Sequence, residues 1–496
     1  MSDYKMMIGG KLVDAVDGKT MDVTNPANGE YVATVPCANE KDVELAVAAA
    51  KAAFPVWKKT YIGKRAELIF ALADKLHEHA EELAELETLC MGAPISKTLA
   101  FDANAAPGNL EFIAGAGRSF YGNTISANPN AKVMTVREPL GVVGLITAWN
   151  FPMTTATSKL APALVTGNTV VLKPASCAPL TCLKIGEYAK EVGFPDGVIN
   201  VLSGPGSVVG EAIVTHKDVA KINFTGDSHV GKRIMNLASN FVKPVASELG
   251  GKNAFIVLDD ANLNAAVEAG VYSAFFNSGQ NCGSPSRFYI QEGIYDAFKE
   301  KFIAAAEKIT VGDTMDPKTM MGPLAYMGAR DNAEKMVEEA LADGCKLLSG
   351  GHRPDTPETR NGAYMLPTIL EVYDNSIHFM KEEIFAPVVG FYKVKTPEEA
   401  IELTNDNDYG LSASVWTEDY KKGMRVIDQL DTGTTWINQH LEICVETPWG
   451  GRKQSGWTKE NSAIVLEEYT YQKHIWICMD DTPHTFWENF LKDIID

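Results

Sequence analysis

Long apolar runs are missing from this 496-residue chain: stretches such as GVVGLITAW fall well short of the roughly 20 residues that cross a bilayer. No membrane partner is expected. The N-terminal MSDYKMMIGGKLVDAVDGK has no basic region followed by an apolar run, so no signal peptide is expected either. Positive charge is scarce, with 45 Lys and Arg against 64 Asp and Glu and a net charge of -19, which speaks against a nucleic-acid partner. The 8 cysteines form no CxxC pair and no Cys/His cluster with metal-ligand spacing, so no metal is expected. A chain of this length needs no disulfide framework, and a reducing, cytoplasmic compartment follows. Fixed-period repeats and low-complexity tracts are absent as well.

What is present is α/β texture. NEKDVELAVAAAKAAFPVWKK and IGKRAELIFALADKLHEHAEELAELETLC each read as one helix, with apolar residues at three- and four-residue spacing. From residue 140, GVVGLITAW, NTVVLKP, GVINVLSG, AKINFTG and NAFIVLD are short Val/Ile-rich runs separated by helical stretches. Buried strands alternating with helices predict βαβ units and a doubly wound parallel sheet. A second α/β series runs from about residue 252 to 450, so chemistry is expected at the junction of two bodies. Residues 123–139 read as an extended hairpin, and EEYTYQKHIWICMDD alternates like an edge strand.

Several constellations could carry chemistry. FTGDSHVGKRI places Gly226 after a strand and before a helix, which suits a phosphate and equally suits a plain loop. Lys173 ends the strand NTVVLKP, where open α/β sheets bind ligands, or is a surface lysine. Glu248 in ASELGGKN could be a general base or a solvated acid. Asn150 in ITAWNFPM could donate to an oxyanion or cap a turn before Pro152. In FFNSGQNCGSPSRFYI, Cys282 is as readily a buried core thiol as a nucleophile.

Taken in order, AWNFP, GNTVVLKPA, FTG with a second glycine five residues on, ELGGKN, NSGQNCG, EEIFAPV and PWGGRKQSG resemble the NAD(P)-dependent aldehyde dehydrogenase superfamily over essentially the whole chain. The resemblance implies a Rossmann-type cofactor domain (residues 1–121 and 141–251) and an α/β catalytic domain (252–453). It also implies a small β oligomerisation arm with a C-terminal tail (122–140 and 454–496) and a homodimer or homotetramer. Cys282 would attack an aldehyde, and Asn150 with the Cys282 N–H would hold the oxyanion. Glu248 would activate the hydrolytic water, with Lys159 close to the site. Cofactor contacts would come from Ile146, Thr147 and Trp149, from Lys173 and Ser176, and from Gly206 and Gly210. Phe224, Thr225, Gly226 and Asp227, then Leu249 and Gly250, then Glu383 and Phe385 would complete them. Glu248 favours the hydrolytic branch over a CoA-acylating enzyme, and the complete residue set argues against a non-catalytic protein of the same fold.

Departures from the family pattern refine these expectations. Ser176 stands where NAD-using members commonly have Glu, which removes repulsion of a 2′-phosphate, so NADP is favoured over NAD. Asp227 replaces a usual Ser and is an unfavourable neighbour for a pyrophosphate unless it caps the helix. Phe151, Thr154, Thr155, Ser158, Asn281 and Gly283 are expected to form a roomy, polar side of the substrate pocket, with Gly283 widening it at the nucleophile. Glu442, Ile443 and Trp449, joined by Glu446, suggest a polar or cationic aldehyde, or acids solvated at the pocket mouth. The tail DDTPHTFWENFLKDIID reads as a short amphipathic helix.

Overall fold

Val142–Ile146 and Thr169–Lys173 are buried at every position, as the continuous apolar runs require of strands covered on both faces. The structure is a computed structural model and describes residues 3–480 together with Phe486, Trp487, Leu491 and Ile494. The first sheet has 7 strands. From one edge they run Val245–Glu248, Val219–Thr225, Val142–Ile146, Thr169–Lys173 and Ile199–Val201, all parallel, followed by the antiparallel hairpin Met6–Ile8 and Lys11–Val13. Strand order reverses between Val142–Ile146 and Val219–Thr225. A crevice therefore opens at their carboxyl ends, where sheets of this kind take ligands.

The second sheet also has 7 strands, in the order Lys346–Ser349, Thr368–Val372, Val388–Val394, Pro285–Gln291, Asn253–Val257, Ser412–Trp416 and Thr434–Ile437, with only the first pairing antiparallel. Its core stacks Phe255 between Phe288 and Trp416, at centroid distances of 4.8 and 5.3 Å. The mixed α/β architecture is the expected one. A third, antiparallel sheet joins Thr124–Ile125 and Ala131–Pro139 to the late strand Thr470–Cys478, so the two segments that read as extended meet each other.

One expectation needs correcting. The helix over 62–90 is two helices, Ile62–Glu78 and Ala80–Met91, broken at His79 (φ -108, ψ 22). Lys75 and His77 close the first while Glu81 and Glu82 open the second, and each charge suits the dipole end it occupies. The apolar periodicity continues across the break, which hides it in the sequence. The amphipathic reading of the C-terminal tail falls mostly on residues outside those described. No helix of the described residues is long and apolar enough to cross a membrane.

Candidate active site

The segment before Pro285–Gln291 carries Cys282, and its backbone is fastened at several points. Asn277, Ser278 and Gly279 are consecutively left-handed (φ 55, 59 and 70). A Cβ on Gly279 would lie 2.3 Å from the Ala386 carbonyl oxygen, so only glycine fits there. Asn253 donates to the Cys282 and Ser284 carbonyls at 2.6 and 2.9 Å. His440 donates from Nε2 to the Gly283 carbonyl at 3.0 Å and accepts from Ser414 at 2.7 Å. Burial lowers its pKa to about 4, so the ring is a neutral strut. Asn150, which follows the first sheet's Val142–Ile146, donates to the Gln280 carbonyl at 3.1 Å, while Asn277 donates to the Asn150 carbonyl at 3.0 Å. The two bodies are thus tied together beside Cys282.

Cys282, Asn150 and Glu248 line one cavity of about 650 Å³. Burial, then the carboxylates of Glu383, Glu248 and Glu460, raise the Cys282 thiol well above its ordinary pKa. Glu248 ends the strand Val245–Glu248, is 5% exposed and has no hydrogen-bond partner on either oxygen among the described residues. Burial and the neighbouring Glu460 raise its pKa well above the carboxylate norm. An unpartnered buried carboxylate costs several kcal/mol when charged, so the neutral form prevails in the free protein. Lys159 is placed behind this group rather than on the cavity wall, bonded to Asn223 at 2.9 Å and closely paired with Glu460. Glu460 lines the cavity, yet no motif singled it out.

The cofactor candidates gather at the carboxyl edge of the first sheet. Thr147 donates its N–H to the Lys173 carbonyl at 3.1 Å, and a Cβ on Gly210 would stand 3.8 Å from Lys173 and 4.0 Å from Ile146. Gly206 opens the same turn, Gly206–Gly210. Lys173 is buried, which lowers its pKa to about 8, and among the described residues its ammonium meets only the Pro174 carbonyl, at 2.7 Å. The Ser176 hydroxyl donates to Gly204 at 2.8 Å. Thr225, Gly226, Asp227, Leu249 and Gly250 line the central cavity with Trp149, Glu383 and Phe385, and Phe224 packs beneath Gly226. A Cβ on Gly250 would meet the Glu383 carboxylate at 2.0 Å, so a side chain there would displace that carboxylate. Burial raises Glu383 to about 7, although its carboxylate accepts the Gly251 N–H at 2.9 Å. An ionisable lysine and a carboxylate flanking an open crevice, with the Thr225 hydroxyl buried and unpartnered among the described residues, fit the two ends of a dinucleotide.

On the substrate side Phe151, Thr154, Thr155, Ser158, Asn281, Ile443, Glu446 and Trp449 line the cavity. Gly283 and Glu442 do not. The space beside Gly283 is filled, since a Cβ would meet Leu441 at 2.8 Å and Trp449 at 3.1 Å, so the glycine admits those side chains instead of widening the pocket. Glu442 is exposed. Phe101 and Asn109 complete the wall at helical spacing, a signal the sequence did contain. Lys97, behind Phe151 at 4.1 Å from the ring centroid and 2.6 Å from Asp102, shows no such signal.

Known proteins share the chain's sequence and fold. A family model described as the aldehyde dehydrogenase family matches residues 12–475. The betaine aldehyde dehydrogenase of Bacillus subtilis is 39% identical over 474 residues, covering 95% of this chain and 96% of that protein. A crystal structure of betaine aldehyde dehydrogenase from Staphylococcus aureus in complex with NAD+ superposes with a TM-score of 0.95 at 38% identity, covering 98% of this chain and 96% of the other. An apo form of the same Staphylococcus aureus enzyme, carrying a point mutation, gives the same TM-score of 0.95.

Proposed function

The chain belongs to the aldehyde dehydrogenase family and oxidises aldehydes with NAD(P); we propose that its preferred substrate is an amino or ammonium aldehyde and its preferred cofactor NADP. The carrying observation is a single cavity lined by Cys282, Asn150 and Glu248 together with Trp449 and Glu446. In the first step the Cys282 sulfur bonds to the aldehyde carbon and gives up its proton. The oxyanion that forms is held by Asn150 and the Cys282 N–H. Bound NAD(P)+ supplies the hydride acceptor that converts the thiohemiacetal to a thioester. Glu248 then takes a proton from water, whose oxygen bonds to the acyl carbon as the carbon–sulfur bond breaks. Glu460, paired with the buried Lys159, puts negative charge beside Glu248 and so raises its affinity for that proton. Glu248 also supports hydrolysis over transfer to CoA.

Substrate class follows from the outer wall. Trp449 offers a π face and Glu446 a carboxylate, the pair that favours a cation, and two relatives carry the name betaine aldehyde dehydrogenase. Glu446→Gln is expected to lower the preference for betaine aldehyde over its uncharged tert-butyl analogue by about fivefold, the size of a partly exposed ion pair. Glu442→Gln should leave the ratio unchanged, because Glu442 is outside the cavity. Equal ratios in the parent and Glu446→Gln, read from kcat/KM at 340 nm, would remove the cationic assignment.

For the cofactor, Lys173 is the buried cation and Ser176 leaves out the carboxylate that would repel a 2′-phosphate. Ser176→Glu should cut kcat/KM with NADP by about tenfold or more and leave that with NAD little changed, since like charges across a contact cost several kcal/mol. Free thiols at Cys37, Cys90, Cys177 and Cys182 support a reducing, cytoplasmic compartment. The sheet formed by Ala131–Pro139 and Thr470–Cys478 exposes Tyr471, Trp476 and Ile477, which supports a homodimer or homotetramer joined there.

A further inference from the structure

Asp227 changes what can hold an anion at the helix beyond Gly226. Its carboxylate accepts from the His229 and Val230 amides at 2.8 and 3.1 Å, so N–H groups that open helix Ser228–Ser239 are already taken. The same carboxylate puts negative charge where a pyrophosphate would approach a helix N-terminus. A pyrophosphate in this crevice therefore needs a donor from elsewhere.

Across the crevice stands Tyr326, the residue before helix Met327–Ala342, lining the same cavity as Gly226 and Asp227. Its ring meets Trp149 edge-on, with centroids 5.9 Å apart at 84°, and Phe385 meets the same indole at 5.4 Å and 88°. The ring is thereby held from the second body over the first. Its side chain does not cap its own helix. Tyr326 is 48% exposed, and its hydroxyl makes no hydrogen bond among the described residues. Burial, then the Cys177 thiol and the Asp227 carboxylate, raise the phenol's pKa, so it stays a donor. Those two neighbours bracket the crevice, Cys177 following Ser176 and Asp227 following Gly226.

Resting on the reading of this crevice as the dinucleotide site, we propose that the Tyr326 hydroxyl donates to the pyrophosphate of the bound dinucleotide, in place of the helix amides that Asp227 occupies. Tyr326→Phe keeps the ring against Trp149 and removes only the donor. NADPH binding is followed by energy transfer from tryptophan to the reduced nicotinamide, and ADP and adenosine binding by titration calorimetry. Tyr326→Phe should weaken NADPH and ADP each by about tenfold, the worth of a hydrogen bond to a charged group, and leave adenosine unchanged. Asp227→Ala frees the helix amides, so in that background Tyr326→Phe should cost less than about twofold. Parental affinity for NADPH in Tyr326→Phe, an equal loss for adenosine, or an undiminished penalty with Asp227→Ala would each overturn the assignment. A parent protein that bound neither NADPH nor NADH would overturn the crevice reading, and Tyr326's role with it.

Discussion

Replacing Cys282 by alanine is expected to lower aldehyde oxidation by at least about four orders of magnitude, with NADPH affinity kept within about twofold. The size follows from the chemistry. Among the cavity's side chains Cys444 is the other thiol, and it sits in the segment 441–448, outside the loop that Asn253 and His440 fix. Substitution at Cys282 also leaves Lys173, Glu383 and Trp149 in place, so cofactor binding survives. The thiol's raised pKa sets a sign for pH. Carboxylates and burial favour the protonated sulfur in the free enzyme, and the reactive thiolate fraction grows about tenfold per pH unit below the pKa. kcat/KM should therefore climb from pH 7 to 9. Steady-state rates at 340 nm check both points, and retention of even a hundredth of the parental rate in Cys282→Ala would place the nucleophile elsewhere.

Glu248→Gln should separate the two halves of the reaction. The first half needs only Cys282 and its oxyanion donors, so NADPH should appear in a burst of one equivalent per active site. Hydrolysis then lacks its base, and the steady rate should fall by roughly two to three orders of magnitude. Glu248 is raised well above the usual carboxylate range, so in the parent the deprotonated base also gains population as pH rises, and the pH dependence of the steady phase should flatten in the variant. Rapid mixing resolves the burst. A variant with neither burst nor turnover would put Glu248 in the first half instead.

Much of the fold is legible because both sheets bury their strands on two faces, which leaves unbroken Val/Ile runs in the chain. Cys282, Glu248 and Asn150 stand out in the sequence because each sits in a motif bounded by glycine, proline or a strand end. What escaped is of another kind. Glu460 reaches the cavity from a loop more than 200 residues from Glu248, and Lys159 meets it only through folding. The role of Gly283 inverted because an absent side chain says nothing of what fills its place, here Leu441 and Trp449. Asp227 was legible as a departure, yet its satisfaction by two backbone amides needed coordinates. His79 passed unnoticed because a helix break that preserves apolar periodicity leaves only a change of charge sign.

In the proposed mechanism Cys282 acts from the amino edge of the second sheet, while Asn150 and Glu248 act from the carboxyl edge of the first. The gap between those edges is therefore itself a catalytic parameter, as the spacing of its jaws is to a caliper. Reacting atoms displaced by about 1 Å can lose two orders of magnitude in rate. Substitutions beneath either sheet edge that leave both cores intact will register first as lost alignment, in a protein that is still fully folded.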